Sequence, residues 1–473
     1  MPRRTKIIAT LGPATDEPGV LDDLIAAGVS VVRLNFSHGD ADAHRQRAAA
    51  VRAAGKRQGR DVAVLADLQG PQIRIRGFGA GLVDLEEGAA FCLDPALPAD
   101  AGTAEAVGIT YESLARDVSV GDCLLLADGQ VALRVEHVDG GRIHCRVTLG
   151  GTLSNNKGIN RLGGGLSAPA LTDKDREDIG VITAMEVDYV AVSFPKSAAE
   201  IHEARTLLEA AGSPAGVVAK IERAEAVGAI DGIIRAADAV MVARGDLGVE
   251  IGDEELPGVQ KRIIAESRSG NRAVITAAQM MDSMISNPTP TRAEVMDVAN
   301  AVIDGTDAVM LSAETAIGAY PVRTAAAVAR ICEGAERKEA DQVSDYRLHT
   351  RFGRIDEAVA MAAMYTANHL NVAAIVALTE SGATALWMSR ISSRIPIYAL
   401  TQHEITRRRS ALYRGVVPVA FDVLHHDAGR VVQDAVDRLR SAGHVQHGDQ
   451  VIVTNGDFAG IPGGTNALKI ITA

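Results

Sequence analysis

The chain has 473 residues, which is too many for a single hydrophobic core and predicts two to four domains. Hydrophobic residues make up 47% of the sequence and charged residues 23%, so the composition is that of a folded globular protein. The formal net charge of −12 argues against broad binding to nucleic acid or to an anionic membrane surface, although a local site could still be positive.

The cysteines and the apolar runs predict a cytoplasmic protein. Cys92, Cys123, Cys145 and Cys332 form no Cys-x-x-Cys pair, and we interpret them as reduced thiols rather than as a disulfide or zinc framework. The apolar run in MPRRTKIIATLG is too short for a signal peptide, and no apolar stretch approaches the ~20 residues of a membrane span. We therefore expect no membrane partner.

Short apolar strands alternate with helical segments over the first 70 residues. The predicted strands are TKIIATLG, VSVVRLNFS and DVAVLADLQG, and helices are predicted over residues 19–28 and 42–57. From residue 71 to residue 167 the pattern changes to many short strands joined by turns such as Ala-Asp-Gly-Gln and Val-Asp-Gly-Gly. This change predicts a small antiparallel β-barrel domain, inserted into a larger one.

The alternation of strands and helices resumes at residue 168 and continues for five more units, with helices predicted over residues 198–211, 224–234, 254–269, 292–303 and 322–339. The strands are apolar throughout, as parallel strands buried on both faces are. Three units before the insertion and five after it predict a (β/α)₈ barrel formed by residues 1–70 and 168–340. A polar segment, residues 338–354, leads into a predicted open, mainly parallel α/β domain at residues 350–473.

Barrel enzymes place their active sites at the C-terminal ends of the strands, so the residues there are candidates for function. Strands two, three, five, six and eight end in polar or charged residues: Arg33, Asn35, Ser37 and His38; Asp67; Lys220 and Glu222; Arg244 and Asp246; Ser312 and Glu314. Strand seven ends instead in Ala277-Ala278. One charge at a strand end is commonly a solvated surface charge, but this many on one barrel face indicate a functional site.

The charged strand ends favour metal-assisted chemistry on an anionic substrate. Glu222 and Asp246 come from adjacent strands, and Mg²⁺ is commonly held by one or two carboxylates plus substrate oxygens. Lys220, Arg33 and Arg74 would add positive charge, which suits a phosphate or carboxylate substrate and phosphoryl transfer. Backbone N–H groups of the ARGDLG turn could hold a carboxylate if a helix begins there. The glycine clusters match neither a dinucleotide fingerprint nor a Walker A loop, so any nucleotide would be held by other means.

Nine stretches between residue 5 and about residue 384 match one family: TKIIATLGPAT, VVRLNFSHG, ADLQGPQIR, LSNNKGIN, AVSFP, VAKIERAEAV, MVARGDLGVEIG, NPTPTRAEVMDVANAVIDGTDAVMLSAET and TESGATA. The long block at residues 287–315 is highly specific. Together the stretches resemble pyruvate kinase of the type found in many proteobacteria, and the domain order matches to the end of the chain.

The resemblance implies a glycolytic enzyme that transfers a phosphoryl group from phosphoenolpyruvate to ADP, giving pyruvate and ATP. Lys220 would stabilise the transferring phosphoryl group and the enolate, and Arg33 would hold the substrate phosphate. Glu222 and Asp246 would bind one Mg²⁺, and a second Mg²⁺ would arrive with the nucleotide. The backbone of Arg244, Gly245 and Asp246 would hold the substrate carboxylate.

The resemblance also implies a nucleotide site shared with the inserted domain, and a homotetramer. Asn35, His38, Arg74 and Lys157 would contact ADP or ATP. Because Lys157 lies on the inserted domain, that domain would close as a lid and exclude water, which competes with ADP as phosphoryl acceptor.

Two ligand sites depart from the usual family pattern. Family members that need K⁺ bind it with residues that correspond to Asn35, Ser37, Asp67 and the Leu68 carbonyl. Such members usually carry Glu where Gln72 stands, and K⁺-independent members often carry Lys, so K⁺ dependence stays open. The effector loop would comprise Thr379, Ser381, Gly382 and Thr384 and would bind a sugar phosphate or a nucleotide monophosphate, but Ala383 replaces a frequent Arg.

The third departure lies at strand seven, where the family motif Ala-Thr-Gln-Met reads Ala277-Ala278-Gln279-Met280. The resemblance implies that the family Thr hydroxyl lies in the path of the proton that reaches the methyl carbon of pyruvate. Ala278 can neither donate nor accept a hydrogen bond through its side chain. We therefore expect an active pyruvate kinase slowed at this proton transfer.

Two alternatives compete with that hypothesis. One is an impaired form that binds phosphoenolpyruvate and Mg²⁺ without forming pyruvate, although the presence of Lys220, Glu222 and Asp246 argues against complete loss of activity. The other is a barrel lyase that acts on enolates, such as a 2-oxo acid aldolase, which would need neither ADP nor the lid that carries Lys157. Measured affinity for ADP separates these readings.

Overall fold

The computed structural model describes all residues except 1–2, 340–345, 348, 428 and 458–462, so much of the predicted polar linker lies outside the described residues. The chain begins with three strands and two helices: β1 (Lys6–Thr10), α1 (Val20–Ala26), β2 (Val31–Asn35), α2 (Ala41–Gln58) and β3 (Ala63–Asp67). A single 3₁₀ turn, Pro13–Thr15, follows β1.

The inserted domain contains eight short strands and one short helix: β4 (Leu82–Leu85), β5 (Ala90–Leu93), β6 (Ala106–Val107), α3 (Leu114–Asp117), β7 (Cys123–Leu126), β8 (Val131–Asp139), β9 (Arg142–Leu149), β10 (Gly151–Ser154) and β11 (Ile159–Arg161). Six strands form a sheet in the order β11-β7-β8-β9-β5-β6, and β10 pairs with β4. All these pairs are antiparallel except β5 with β6. The domain is β-rich and mostly antiparallel as predicted, but its strands are divided between two sheets around one core instead of closing into a single ring of strands.

The second part of the barrel follows: α4 (Asp173–Ala184), β12 (Tyr189–Val192), α5 (Ala198–Ala210), β13 (Gly216–Ile221), α6 (Ala224–Gly228), α7 (Ile230–Ala236), β14 (Ala239–Ala243), α8 (Arg244–Ile251), α9 (Leu256–Ser269), β15 (Ala273–Ala277), α10 (Arg292–Asp304), β16 (Ala308–Leu311), α11 (Ala313–Ala316) and α12 (Pro321–Glu339). A 3₁₀ helix, Asp282–Ile285, follows β15. The helix predicted over residues 224–234 is two helices in the structure. Ala229, at φ −99° and ψ 11°, interrupts it immediately after Gly228, since glycine is a poor helix former.

Eight parallel strands close into a barrel in the order β1-β16-β15-β14-β13-β12-β3-β2, which confirms the predicted (β/α)₈ fold. Successive residues of one strand face opposite sides. In β14, for example, Met241 packs in the barrel interior, whereas Val240 and Val242 pack in the layer beneath the helices. The strands are apolar throughout because both of their faces are buried.

The C-terminal domain contains α13 (Ile355–His369), β17 (Ala374–Leu378), α14 (Ala383–Ser389), β18 (Ile397–Thr401), α15 (Glu404–Ser410), β19 (Val416–Ala420), α16 (Val431–Ser441), β20 (Gln450–Gly456) and β21 (Thr465–Thr472). Its sheet has the order β19-β18-β17-β20-β21 and is parallel except for the last pair, which confirms the predicted open, mainly parallel domain. A 3₁₀ turn, Val423–His425, follows β19.

The C-terminal domain packs against the N-terminal ends of the barrel strands, opposite the predicted active site. The buried Arg390 guanidinium donates to Asp307, one residue before β16, at 2.9 Å. The Lys6 Nζ atom donates to the Val416 carbonyl at 2.5 Å.

Among the described residues, the structure contains no helix long and apolar enough to cross a membrane.

Candidate active site

The strand ends singled out in the sequence lie side by side on the barrel. Strands β2, β3, β12, β13, β14 and β15 are consecutive neighbours, so the residues that follow them meet at one barrel mouth. The site described below is therefore a product of the barrel closure, which brings together residues more than 200 positions apart in the chain.

Lys220, on β13, lies at the centre of this mouth. Its Nζ atom is 2.8 Å from Ser193 Oγ, 2.9 Å from Glu222 Oε1 and 3.3 Å from Asp67 Oδ1. Burial by itself would lower the pKa of the Lys220 ammonium, but the charges of Asp67 and Glu222 outweigh burial and raise this pKa. The site therefore holds a permanent positive charge in a mostly dry position, where charge acts most strongly on a substrate.

Arg33 is held in place by Asp67. The Arg33 Nε atom donates to Asp67 Oδ2 at 2.6 Å, and its Nη1 atom donates to Thr10 Oγ1 at 3.2 Å. Burial would raise the pKa of Asp67, but the Lys220 and Arg33 charges more than offset it and lower this pKa. The ionised Asp67 thus binds two cations at the barrel mouth, Arg33 from β2 and Lys220 from β13.

Glu222 and Asp246 are acidic groups that act on each other, and nearby positive charge compensates Asp246 only in part. Glu222 Oε2 accepts a hydrogen bond from the Phe194 N–H at 2.8 Å. Burial first, and then the charge of Glu222, raise the pKa of Asp246 to about 7, and the Lys220 charge only partly opposes them. Two convergent carboxylates fit a divalent cation that completes its shell with substrate oxygens and water. Among the described residues, no group of three or more His, Cys, Asp or Glu side chains is placed to hold a metal.

Helix α8 begins at Arg244, directly after β14, as the predicted carboxylate turn requires. The N–H groups of its first turn have no acceptor within the helix, and the helix dipole favours an anion at that end. The Arg244 side chain is largely buried and is held by other residues of the protein. It donates to the Ala278 carbonyl at 2.6 Å and to Asp297 Oδ1 at 2.7 Å.

Ala278 adopts an unusual backbone conformation beside that turn. Its φ is +71°, and that of the next residue, Gln279, is +51°. A Cβ atom placed on Gly245 would lie 3.7 Å from the Ala278 Cβ, so residue 278 adjoins the turn that begins α8. Left-handed φ is costly for residues other than glycine and most costly for β-branched ones. Alanine therefore fits this backbone with less strain than the threonine of the family motif.

Two of the predicted nucleotide residues, Asn35 and His38, lie on the barrel, and the other two, Arg74 and Lys157, lie on the inserted domain. Arg74 forms a backbone bridge with Gly158, next to the exposed Lys157, and donates to the Gln72 side-chain carbonyl and to the Asn156 carbonyl. His38 is exposed on the loop after β2. A cavity of about 70 Å³ between the two domains is lined by Gln72, Arg74 and Asn160 and, from the barrel, by Phe194, Arg223 and Asp246.

The four residues proposed for K⁺ are neighbours at the ends of β2 and β3. The Asn35 side-chain carbonyl accepts from the Ser37 N–H at 3.1 Å, and Asp67 binds Arg33 and Lys220. The Leu68 carbonyl accepts from Ser193 Oγ at 2.7 Å. The side-chain oxygens of Asn35 and Asp67 and the Leu68 carbonyl therefore already have partners within the protein.

Two residues of the site were missed in the sequence. Ser193 follows β12 in the AVSFP stretch, and its hydroxyl contacts Lys220. Arg223 lies with its guanidinium 5.6 Å from the ring centre of Phe194, which has a φ of +57°. A hydroxyl directly after an apolar strand was the available signal for Ser193, whereas the left-handed Phe194 carries no sequence signal.

Glu314, one of the predicted strand-end residues, is buried. It accepts hydrogen bonds from the N–H groups of Met281 and Ser312 and so holds the loop after β15 in place.

The predicted effector loop lines a separate cavity of about 270 Å³ in the C-terminal domain. Thr379, Ser381 and Thr384 contribute to its wall, together with His426 and Lys469 from other elements. Gly382, at φ +83°, makes the turn, and its N–H donates to Thr379 Oγ1 at 2.9 Å. The cavity and the barrel mouth are distinct sites, because the C-terminal domain packs on the opposite end of the barrel.

The barrel with its inserted β-rich domain, and the charged residues Lys220, Glu222 and Asp246 at one barrel mouth, have the organisation of a (β/α)₈-barrel enzyme. Residues 2–325 match the family model described as the pyruvate kinase barrel domain, and residues 357–471 match that of the pyruvate kinase alpha/beta domain. The chain belongs to the pyruvate kinase family.

Three relatives illustrate this membership. The chain is 56% identical to pyruvate kinase II of Salmonella typhimurium over 99% of its own length and 98% of the relative. It is 55% identical to a pyruvate kinase of Haemophilus influenzae over 96% of both chains. The crystal structure of a pyruvate kinase from Cryptosporidium parvum superposes with a TM-score of 0.92 at 32% identity, covering 99% of this chain and 96% of that one.

Proposed function

We propose that this protein transfers the phosphoryl group of phosphoenolpyruvate to ADP, forming pyruvate and ATP in glycolysis. The observation that carries this proposal is the position of the Lys220 ammonium, 2.9 Å from one of two convergent carboxylates and beside an anchored arginine. Phosphoryl transfer needs positioning and positive charge more than covalent chemistry, and this arrangement supplies both.

The phosphoenolpyruvate molecule would bind through three groups. Arg33 would hold its phosphate, since Asp67 and Thr10 fix the guanidinium at the barrel mouth. The first-turn N–H groups of α8, from Arg244 to Asp246, would receive its carboxylate. Lys220 would stabilise the transferring phosphoryl group and the negative charge that develops on the enolate oxygen.

Glu222 and Asp246 would hold Mg²⁺, and a second Mg²⁺ would enter with the nucleotide. When bound, the metal would neutralise phosphate charge and orient substrate oxygens. The raised pKa of Asp246 supports this assignment, because a carboxylate that lacks a compensating cation is a natural ligand for one.

The nucleotide would lie between the barrel and the inserted domain. Asn35 and His38 would contact it from the barrel, and Arg74 and Lys157 from the inserted domain. Closure of the inserted domain would exclude water from the phosphoryl group. Three consecutive glycines, Gly163, Gly164 and Gly165, all with positive φ, connect the inserted domain back to the barrel and provide a natural hinge.

The site around Asn35, Ser37, Asp67 and Leu68 would take K⁺ if the enzyme needs a monovalent cation. The neutral Gln72 accepts a hydrogen bond from Arg74 and adds neither the negative charge of Glu nor the ammonium of Lys. We propose partial K⁺ stimulation on this basis.

Ala278 would make proton delivery to the enolate the weak step of the reaction. Its side chain cannot carry a proton, and its Cβ adjoins the proposed carboxylate turn. A positioned proton-transfer group typically contributes ~10²–10⁴ in rate, so its absence leaves a slower but active enzyme.

The C-terminal cavity would bind a phosphorylated effector, either a sugar phosphate or a nucleotide monophosphate. Lys469 lines this cavity and supplies a positive charge, whereas Ala383, which also lines it, supplies none.

A homotetramer is supported by an apolar face on α10. Met296 and Ile303 are 61% and 56% exposed there and lie two turns apart on the same side of the helix. We place the enzyme in the cytoplasm, where its reduced cysteines would be stable.

The direct test is to incubate the purified protein with phosphoenolpyruvate, ADP and Mg²⁺ and to measure pyruvate and ATP. We expect both products in equal amounts, more of them with K⁺, and a further response to sugar phosphates or nucleotide monophosphates. Binding of phosphoenolpyruvate and Mg²⁺ without any pyruvate would instead support the impaired form. Release of pyruvate that needs no ADP would support the lyase alternative.

A further inference from the structure

Ser193 lies between two strands that carry charged groups of the site, β3 with Asp67 and β13 with Lys220. It follows β12, which pairs with β3 on one side and with β13 on the other. Its side chain therefore reaches Asp67 and Leu68 from β3 and Lys220 from β13. Only 1% of the residue is exposed, so water does not compete for its hydroxyl.

The hydrogen bonds of Ser193 have a fixed direction. The Lys220 ammonium can only donate, so Ser193 Oγ accepts from Nζ at 2.8 Å. The Leu68 carbonyl can only accept, so the single hydroxyl hydrogen points to it at 2.7 Å, a closer contact than the 3.4 Å to Asp67 Oδ1. The hydroxyl is thus anchored on the rigid end of β3 and presents a lone pair to Lys220.

The two other partners of Lys220 differ from Ser193 because they are charged and because each has a second role in the site. Glu222 is a proposed Mg²⁺ ligand, and Asp67 is shared with Arg33 at 2.6 Å. Both are anions that neutralise part of the ammonium charge. Ser193 is the neutral acceptor of the three, so it can orient Nζ and leave the ammonium charge available for the substrate.

We propose that Ser193 is a positioning residue that holds the Lys220 ammonium at the reacting phosphoryl group through its bond to the Leu68 carbonyl. The inference rests on the proposed role of Lys220. Ser193 touches no substrate atom in this account, and its effect on the reaction passes through Lys220 Nζ.

A double-mutant cycle on Ser193→Ala and Lys220→Gln tests this inference. Loss of a hydrogen bond to a charged group lowers a rate by roughly 10–100-fold, and we expect that loss in kcat for Ser193→Ala. The KM for phosphoenolpyruvate should stay within about threefold, because Arg33 and the α8 turn bind the substrate. In the Lys220→Gln background, Ser193→Ala should change the residual kcat by less than about twofold.

Conservative and control variants separate positioning from folding. Ser193→Thr keeps the hydroxyl and should recover most of the lost kcat, whereas Ser193→Cys keeps the size but offers a weak acceptor and should not. Ser267→Ala is the matched control, because Ser267 is also fully buried and its Oγ has no hydrogen-bond partner in the structure. It should leave kcat unchanged, and all variants should be compared at temperatures at which their unfolding curves show a folded protein.

Three outcomes contradict the inference: a kcat of Ser193→Ala within twofold of the original protein, an equal loss from Ser193→Ala in both backgrounds, or full activity of Ser193→Cys. A Lys220→Gln variant with unchanged kcat would refute the proposed role of Lys220 instead, so the two failures are distinguishable. The affinity for oxalate with Mg²⁺, measured by calorimetry, gives a second readout, since this planar dianion resembles the enolate. It should weaken in Ser193→Ala only when Lys220 is present.

Discussion

Substitution of Ala278 separates two effects that coincide at one residue: the absent hydroxyl and the left-handed backbone. With φ at +71°, the residue is in a region that costs an ordinary L-residue roughly 1–2 kcal/mol, and glycine far less. Ala278→Gly should therefore stabilise the fold by about 1 kcal/mol, while Ala278→Thr, which is β-branched, should destabilise it by about 1 kcal/mol more than alanine does. Ala278→Ser should lie between alanine and threonine.

Catalysis should follow a different order from stability. Serine and threonine restore a hydroxyl beside Gly245, and a proton-transfer group contributes ~10²–10⁴ in the step that it serves. We expect kcat to rise at least about tenfold in Ala278→Ser and Ala278→Thr, with the gain capped where product release becomes limiting. Ala278→Gly should leave kcat near its original value, because glycine also lacks the hydroxyl.

The assays are steady-state pyruvate release for kcat and denaturant unfolding for stability, applied to all four proteins. A flat kcat across serine and threonine would refute the idea that residue 278 limits the reaction. A glycine variant less stable than the alanine protein would refute the strain reasoning, whatever the kinetics show.

Three further predictions concern the monovalent cation and the junction between the barrel and the C-terminal domain. Gln72→Lys should abolish stimulation by K⁺, because the lysine ammonium would take the place of the ion. The test compares the kcat of the variant in K⁺ with its kcat in tetramethylammonium. Asp307→Ala should lower the free energy of unfolding by about 3–5 kcal/mol, because it leaves the Arg390 guanidinium buried without its carboxylate. Denaturant unfolding of this variant, compared with that of Arg390→Met, measures the loss. Burial lowers the pKa of Lys6 from the usual 10.5 to about 7, so the unfolded chain binds more protons between these values and stability should rise with pH across them. Lys6→Met should make stability depend less on pH and should stabilise the fold most at or below about pH 7. Denaturant unfolding of both proteins at about pH 6 and about pH 9 measures this. If the free energy of unfolding varies with pH equally in both proteins, Lys6 is charged in the folded protein.

The barrel was predictable because its strands are apolar on both faces and recur at regular intervals, and such a pattern has few other solutions. The candidate site residues were predictable for a related reason, since charged residues such as Lys220 and Asp246 lie near or just beyond the C-terminal ends of apolar strands. The order of strands in the inserted domain was not predictable, because half-buried strands can pair in several orders and only the three-dimensional packing selects one.

Residues whose role depends on backbone geometry or on a neighbouring strand were also beyond the sequence. Alanine is not a marker for left-handed φ, so the strain at Ala278 appears only in the structure. Ser193 is one hydroxyl among many, and its importance comes from β12 lying between β3 and β13. The helix predicted over residues 224–234 is interrupted at Ala229, directly after Gly228, and one glycine in a helical pattern does not by itself show that the helix will break.

The most direct test of the account is the rate of pyruvate formation by the original protein and by Lys220→Gln at saturating phosphoenolpyruvate, ADP and Mg²⁺, together with the affinity of each protein for phosphoenolpyruvate. The account predicts that the original protein forms pyruvate, and that the variant loses at least roughly 10³-fold in kcat while phosphoenolpyruvate affinity changes only severalfold. A variant that retains kcat within about tenfold would contradict the central claim that the Lys220 ammonium stabilises the transferring phosphoryl group.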